Sequence, residues 1–265
     1  MAFLSLTSCH ASILDPTVHA LAEYIGVRLA CRVEVIDTID WEERYRQLDA
    51  GMMDMAWICG APYVRRMAAA KPPIELLVAP VWRGERYQDQ PVYFSDVVVH
   101  HNSRFCNFAD LRGAIWAYNE VGSLSGYAIM QAHLAEQGET GHFFAAKVQS
   151  GAHRQSIQMI LEGHADVAAI DSVVLEQLLH AQPELAQQLR TVAVLGPNPS
   201  MPWVVGTHLP QAIRHQLRQL LTTMHSDSTG QAVLAQSSVA HFATVTAQTY
   251  DPIRTLLRKA AMLDA

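Results

Sequence analysis

The chain has 265 residues, half of them hydrophobic and 17% charged, which is enough apolar material for a full core and excludes a disordered chain. Its net charge of −6, with only Lys71, Lys147 and Lys259 as lysines, excludes a general nucleic-acid or anionic-membrane binder. Four scattered cysteines without a CxxC pair exclude a disulfide framework or structural zinc site, and no apolar run reaches the length of a membrane span.

Phe3–Thr7 reads as a first core strand, followed by the polar turn Ser8-Cys9-His10-Ala11-Ser12. A helix is expected from Pro16 to Leu29, where Val18, Leu21, Ile25 and Leu29 share one face. Cys31–Ile36 alternates as a strand. Asp40 stands as N-cap of a helix carrying Tyr45 and Leu48, which Gly51 ends, and Met53–Ile58 is a short buried strand. This β-α-β-α-β order predicts an α/β domain.

A second set starts near Pro91: strand Tyr93–His100, turn Asp110-Leu111-Arg112-Gly113, strand Ala114–Tyr118, helix Ser125–Gln137 and strand Phe143–Gln149. A helix from Ser150-Gly151-Ala152-His153 to Glu162, strand Ala165–Ile170 and a helix from Asp171-Ser172 to His180 follow. Thr191–Leu195 and Trp203–Thr207 are further expected strands. Helices Pro210–Met224, Gly230–Gln236 and Pro252–Met262 close the chain. These last helices have no sheet of their own and are expected to fold back on the first lobe. The expectation is therefore residues 1–90 with 200–265 as one lobe and 91–199 as the other, joined by two Pro/Gly-containing hinge crossings near 85–92 and 196–202.

The most informative stretch is Asn119-Glu120-Val121-Gly122-Ser123-Leu124-Ser125-Gly126-Tyr127. It lies between the apolar strand Ala114–Tyr118 and an apolar helical pattern. Such a turn leaves backbone N–H groups free at a helix start, where the helix dipole favours an anion. Ser123 and Ser125 add hydroxyls. An ordinary capped helix has the same local pattern.

Five segments in order resemble a known family: Asp54-Met55-Ala56-Trp57-Ile58-Cys59-Gly60-Ala61-Pro62-Tyr63-Val64, Asp110-Leu111-Arg112-Gly113, Ser123-Leu124-Ser125-Gly126-Tyr127, Ser150-Gly151-Ala152-His153 and Gly163-His164-Ala165-Asp166-Val167-Ala168-Ala169-Ile170-Asp171-Ser172. From about Leu4 to Leu257 the chain resembles the phosphate/phosphite/phosphonate-binding solute receptors of ABC importers. The resemblance implies the two-lobed type II periplasmic-binding-protein fold, a ligand cleft between the lobes, no catalysis, no cofactor, and an ABC permease as partner if the protein is exported. By the same resemblance Trp41 stands where phosphonate binders commonly have Tyr. Tyr93, the turn Ser123-Leu124-Ser125-Gly126 and His153 fall on ligand positions. Two departures matter: Leu124 replaces a Thr hydroxyl, and Met201 stands where aminophosphonate-binding members carry an acid. The implied ligand is a small oxyanion-bearing or organic molecule of phosphonate-like class, but not aminoethylphosphonate.

Trp57, Trp116 and Tyr118 lie in or beside strands and read as core, whereas Trp41, Tyr63, Tyr93 and Tyr127 lie at element starts and are open to ligand contact. Asp171 ends an apolar strand, the usual place for ligand groups in open sheets, and is equally an N-cap; as a counter-charge it would serve an aromatic cage for an amine. Cys9 and His10 are adjacent on an extended chain and point to opposite faces, which argues against a nucleophile–base pair. The thirteen histidines form no HxxxH or HExxH pattern, so no metal is expected. Leu6-Thr7-Ser8-Cys9 only loosely resembles a lipoprotein cleavage box, without a preceding Lys or Arg. The protein is then periplasmic or cell-surface if a signal has been removed, and cytoplasmic otherwise. A cytosolic ligand-sensing domain and an enzyme on the same fold are the alternatives.

Overall fold

The structure, a computed structural model, describes residues 3–263. In chain order its first elements are β1 (Phe3–Ser8), α1 (Asp15–Leu29), β2 (Arg32–Val35), α2 (Trp41–Asp49), β3 (Met55–Trp57), α3 (Gly60–Arg66), β4 (Ile74–Trp82) and β5 (Val92–His100). Next come β6 (Ile115–Tyr118), a π turn (Leu124–Ala128) leading into α4 (Ile129–Glu136), β7 (Ala146–Gln149), α5 (His153–Leu161), β8 (Val167–Asp171), α6 (Ser172–Ala181), α7 (Leu185–Gln188) and β9 (Leu189–Pro199). The chain ends with β10 (Trp203–Gly206), α8 (Gln211–Thr223), α9 (Ser228–Ala235), β11 (Val239–Ala243) and α10 (Asp251–Ala261).

Two compact units result. One is the chain up to Val92 with Pro199–Asp251; the other is Tyr93–Asn198 with the chain from Pro252. The first holds a six-stranded sheet in the order β11-β4-β10-β3-β1-β2. Within it β1 pairs in parallel with β2 and β3, while β10 runs antiparallel to β3 and β4. Three tryptophans make its centre. Trp57 stacks on Trp203 at 5.4 Å and on Trp82 at 6.1 Å between ring centroids. Both donors that this burial would strand are met, Trp57 Nε1 by the Met201 carbonyl and Trp82 Nε1 by Ser200 Oγ, each at 3.0 Å.

The second unit holds a five-stranded sheet in the order β7-β6-β8-β5-β9, with β6 parallel to β7 and β8 and β5 antiparallel to β8. β8 is buried along its whole length, and Val97–Val99 of β5 with it, so they read as apolar runs rather than alternating patterns.

The late part of the chain departs from the sequence expectation. Among the late segments, an unexpected strand, β11, joins the first sheet beside β4, in addition to the expected β10. And α10 groups with the second unit, not the first, so the chain passes between units a third time at Asp251/Pro252. Its anchors there are an ion pair of Lys259 with Glu136 of α4 at 2.7 Å and the Leu263 carbonyl against Gly141.

Candidate functional site

The Ser123–Gly126 turn is built by its own polar groups. Ser123 occupies the N-cap with extended backbone, and its Oγ accepts from Gly126 N–H at 3.1 Å. The Ser123 carbonyl accepts from Ala128 N–H at 3.1 Å, the wide spacing of a π turn. Leu124 and Ser125 open the turn, so their N–H groups have no intrahelical acceptor. Gly126 N–H, by contrast, is spent inside the turn.

His153 is the first residue of α5, and its Nε2 lies 3.1 Å from Ser125 Oγ. Burial pushes its imidazole down to about 4, so it is neutral near pH 7. Ser95 on β5 donates its hydroxyl to the Ser125 carbonyl at 2.7 Å and is fully buried. Sequence reasoning missed Ser95; its only signal was a polar residue within an apolar strand. Asn119, at the end of β6, also belongs here, because a Cβ on Gly126 would sit 1.9 Å from Asn119 Oδ1 and 3.2 Å from His153 Cε1. Ser123, Leu124, Ser125, Gly126 and His153 are therefore brought together, as the sequence suggested.

The other candidates fall elsewhere. Tyr127 turns into an aromatic cluster, stacked on Trp116 at 5.3 Å and tilted against Tyr118 at 4.9 Å, and its hydroxyl accepts from Gln131 Nε2. Tyr93 is buried on β5. Asp171 pairs in register with Ser95 and N-caps α6, accepting from Val173 and Val174 N–H. Burial pushes its carboxyl up to about 7 despite those two bonds. Trp41 and Tyr63 belong to the first unit. Trp41 is 45% exposed at the start of α2, edge-on to Tyr45. Tyr63 is buried against Tyr250 at 4.7 Å and lines a groove of ≈ 450 Å³ with Glu75, Arg214 and Arg218. His10 sits edge-on to Trp57 at 4.8 Å.

The Ser125–His153 contact has the spacing of a nucleophile with its base. Catalysis would need a third group orienting the imidazole, and His153 Nδ1 is buried without a hydrogen-bond partner. Among the described residues no cluster of His, Cys, Asp and Glu suits a metal ion. What the arrangement offers is a set of fixed, neutral hydrogen-bonding groups at a helix start, which suits an oxyanion.

A family model described as the periplasmic substrate-binding protein of an ABC phosphonate transporter matches residues 8–250. The chain belongs to this phosphonate-binding family. Its members are receptors of ABC transporters, not enzymes, and are described as periplasmic. Solved structures agree on the fold. The binding-protein component of an ABC phosphonate transporter from Pseudomonas aeruginosa matches with a TM-score of 0.84 at 18% identity, over 99% of this chain and 88% of that one. PhnD1 from Prochlorococcus marinus, in complex with methylphosphonate, also gives 0.84, at 17% identity over 98% of each chain. The periplasmic aliphatic sulphonate-binding protein SsuA from Escherichia coli gives 0.64 at 13% identity, over 100% of this chain and 87% of that one. The phosphonate-binding receptor thus has the two-lobed α/β architecture of type II periplasmic binding proteins. Among the described residues no helix is long and apolar enough to cross a membrane.

Proposed function

We propose that this receptor captures a small phosphonate bearing an apolar organic group and hands it to an ABC permease. It works in the periplasm or at the cell surface, and Trp41, Tyr63, Tyr93, Ser123, Leu124, Ser125, Gly126, Tyr127, His153 and Asp171 are its candidate ligand positions. The observation that carries the reading is the turn itself: open N–H groups at Leu124 and Ser125 beside a Ser125–His153 hydrogen bond. No Lys or Arg donates into that turn among the described hydrogen bonds, so affinity must come from several converging neutral donors. One such bond contributes about 1 kcal/mol net. Replacing Ser125 by Ala is accordingly expected to weaken methylphosphonate binding by roughly 1–2 kcal/mol, measured by calorimetric titration. An unchanged Kd would count against the site.

Aminoethylphosphonate is expected to bind poorly. Its ammonium needs a carboxylate, since an unpaired ammonium is costly to desolvate. Met201 supplies none and is itself 2% exposed. Asp171 is the acid among the candidate ligand positions, but one of its oxygens already accepts from two backbone N–H groups and burial disfavours its charge. Titration with methylphosphonate, phosphate and 2-aminoethylphosphonate tests the reading; sub-micromolar binding of the last would sink the exclusion. Native mass spectrometry of freshly purified receptor identifies any co-purified ligand directly.

A further inference from the structure

Asn119 directly follows β6, and its backbone is pinned: the Asn119 carbonyl accepts from Gly151 N–H at 2.9 Å, and the Tyr118 carbonyl accepts from Ser150 N–H at 2.8 Å. This holds the end of β6 against the segment that starts α5. The side-chain amide then lies over the Cα of Gly126, in the space a side chain at 126 would need. Its Oδ1 is buried and has no hydrogen-bond partner. A site otherwise made of donors and hydroxyls thus contains an unsatisfied carbonyl oxygen, beside the imidazole of His153, whose Nδ1 is likewise buried without a partner.

We infer that this site, if it is the phosphonate site proposed above, takes its oxyanion with a proton still attached. Asn119 Oδ1 accepts the hydrogen bond from that P–OH group, so Asn119 selects hydrogen phosphonates against sulfonates of the same shape. The chemistry follows from lone pairs. A sulfonate, or a fully ionised phosphonate, presents only acceptor oxygens. Placed against a buried carbonyl oxygen, such an anion brings lone pairs against lone pairs and leaves the acceptor unmet. A singly ionised phosphonate has one hydroxyl to donate and two oxygens for the open N–H groups.

The charges around the turn act in the same direction. Glu120 follows Asn119 directly, the buried Asp96 lies on β5 and Glu176 on α6, while Asp171 on β8 is held protonated by burial near pH 6 and adds no charge. Lys147 on β7 is engaged by Gln131 and lies over the Trp116 ring, and Arg154 after His153 is exposed. This field favours the less charged ligand.

Calorimetry near pH 6 with methylphosphonate and methanesulfonate compares two ions of like shape and single charge, of which only the first carries a proton. The wild-type receptor is expected to bind methylphosphonate at least ~30-fold more tightly, equivalent to about 2 kcal/mol. In Asn119→Ala that preference should fall below ~3-fold, mainly through weaker methylphosphonate binding. Thermal melting checks that the variant is folded, and the wild-type comparison needs no variant. Equal wild-type affinities, or a preference that survives in folded Asn119→Ala, overturn the inference, as does tighter methanesulfonate binding, which would place the amide nitrogen inward. No saturable heat from methylphosphonate at all would instead overturn the phosphonate reading on which the inference rests.

Discussion

Replacing Asp171 by Asn is expected to stabilise the protein above pH 7 by about 4 kcal/mol, the worth of a carboxyl moved from its ordinary value of 3.8 up to about 7. Burial causes the shift, and Asn keeps the cap because its side-chain oxygen can still accept from Val173 and Val174 N–H. A raised acid contributes stability that is full below the unfolded pKa and lost as pH rises through the folded one, so Asp171 weakens the protein across about pH 4–7. His153 acts in the opposite sense. Its folded pKa lies below the unfolded value of 6.5, at about 4, so its contribution is present above pH 6.5 and lost as pH falls towards 4.

Between about pH 4 and 6.5 the native pair is AspH with neutral His, and the unfolded pair is Asp⁻ with HisH⁺. Each pair carries one proton, so their contributions to the pH slope cancel. Single substitutions remove the cancellation. Relative to wild type, stability of Asp171→Asn should climb with pH across that window, by up to ~1.4 kcal/mol per unit, and that of His153→Gln should fall by a similar slope. Urea unfolding at several pH values measures both. Two variants that keep the wild-type profile would show that neither group is held as buried and neutral.

Much of this architecture was legible in the chain because its elements announce themselves locally. α1 has a regular apolar face and an early proline, and β6 is an apolar run followed by a polar turn. Three of the missed elements have clear physical reasons. β4 carries Pro80 inside an apolar run, which normally argues against a strand, yet Pro80 is accommodated opposite Phe242 on the edge strand β11. β11 itself is five residues long and half-exposed, so it reads as a loop. α3 begins Gly60-Ala61-Pro62, a weak helical start that tertiary burial of Tyr63 and Val64 overrides. The destination of α10 depends on contacts with Glu136 and Gly141, more than a hundred residues away, and no local pattern encodes it.

The candidate site was legible in the same measure. Ser123, Ser125 and Gly126 form one contiguous motif, and His153 opens the next helix after a glycine. Ser95 reaches the turn across 30 residues, through a bond that exists only once β5 lies beside β8. Asn119 could be quoted from the sequence as part of the turn, but its amide acquires a role only through its approach to Gly126. Asp171 shows the converse: its position at a strand end suits either a ligand group or a cap, and the bonds to Val173 and Val174 establish the cap.

Gly126→Ala is expected to weaken methylphosphonate binding by more than ~100-fold while costing the fold roughly 1–3 kcal/mol, the usual range for overpacking a tight site. The glycine is not required for its backbone angle; it is required because the space of a side chain is already filled. An added methyl carbon would meet Asn119 Oδ1 at 1.9 Å, Asn119 Cγ at 2.9 Å and His153 Cε1 at 3.2 Å. The Asn119 amide must swing away, and the imidazole must retreat from Ser125 Oγ, so the hydrogen bond at 3.1 Å is lost together with the amide acceptor. Two polar contacts and the alignment of the open N–H groups then fail at once, which is why the loss exceeds that of Ser125→Ala. The double variant Gly126→Ala/Asn119→Ala separates sterics from other causes. Removing the Asn119 amide clears the two closest contacts, so the double variant should recover most of the melting temperature lost by Gly126→Ala alone, a coupling of opposite sign to simple additivity. It should not recover a preference for methylphosphonate over methanesulfonate, because the acceptor is gone. A Gly126→Ala receptor with wild-type affinity, or a double variant less stable than either single one, would show that Asn119 does not occupy the space beside Gly126.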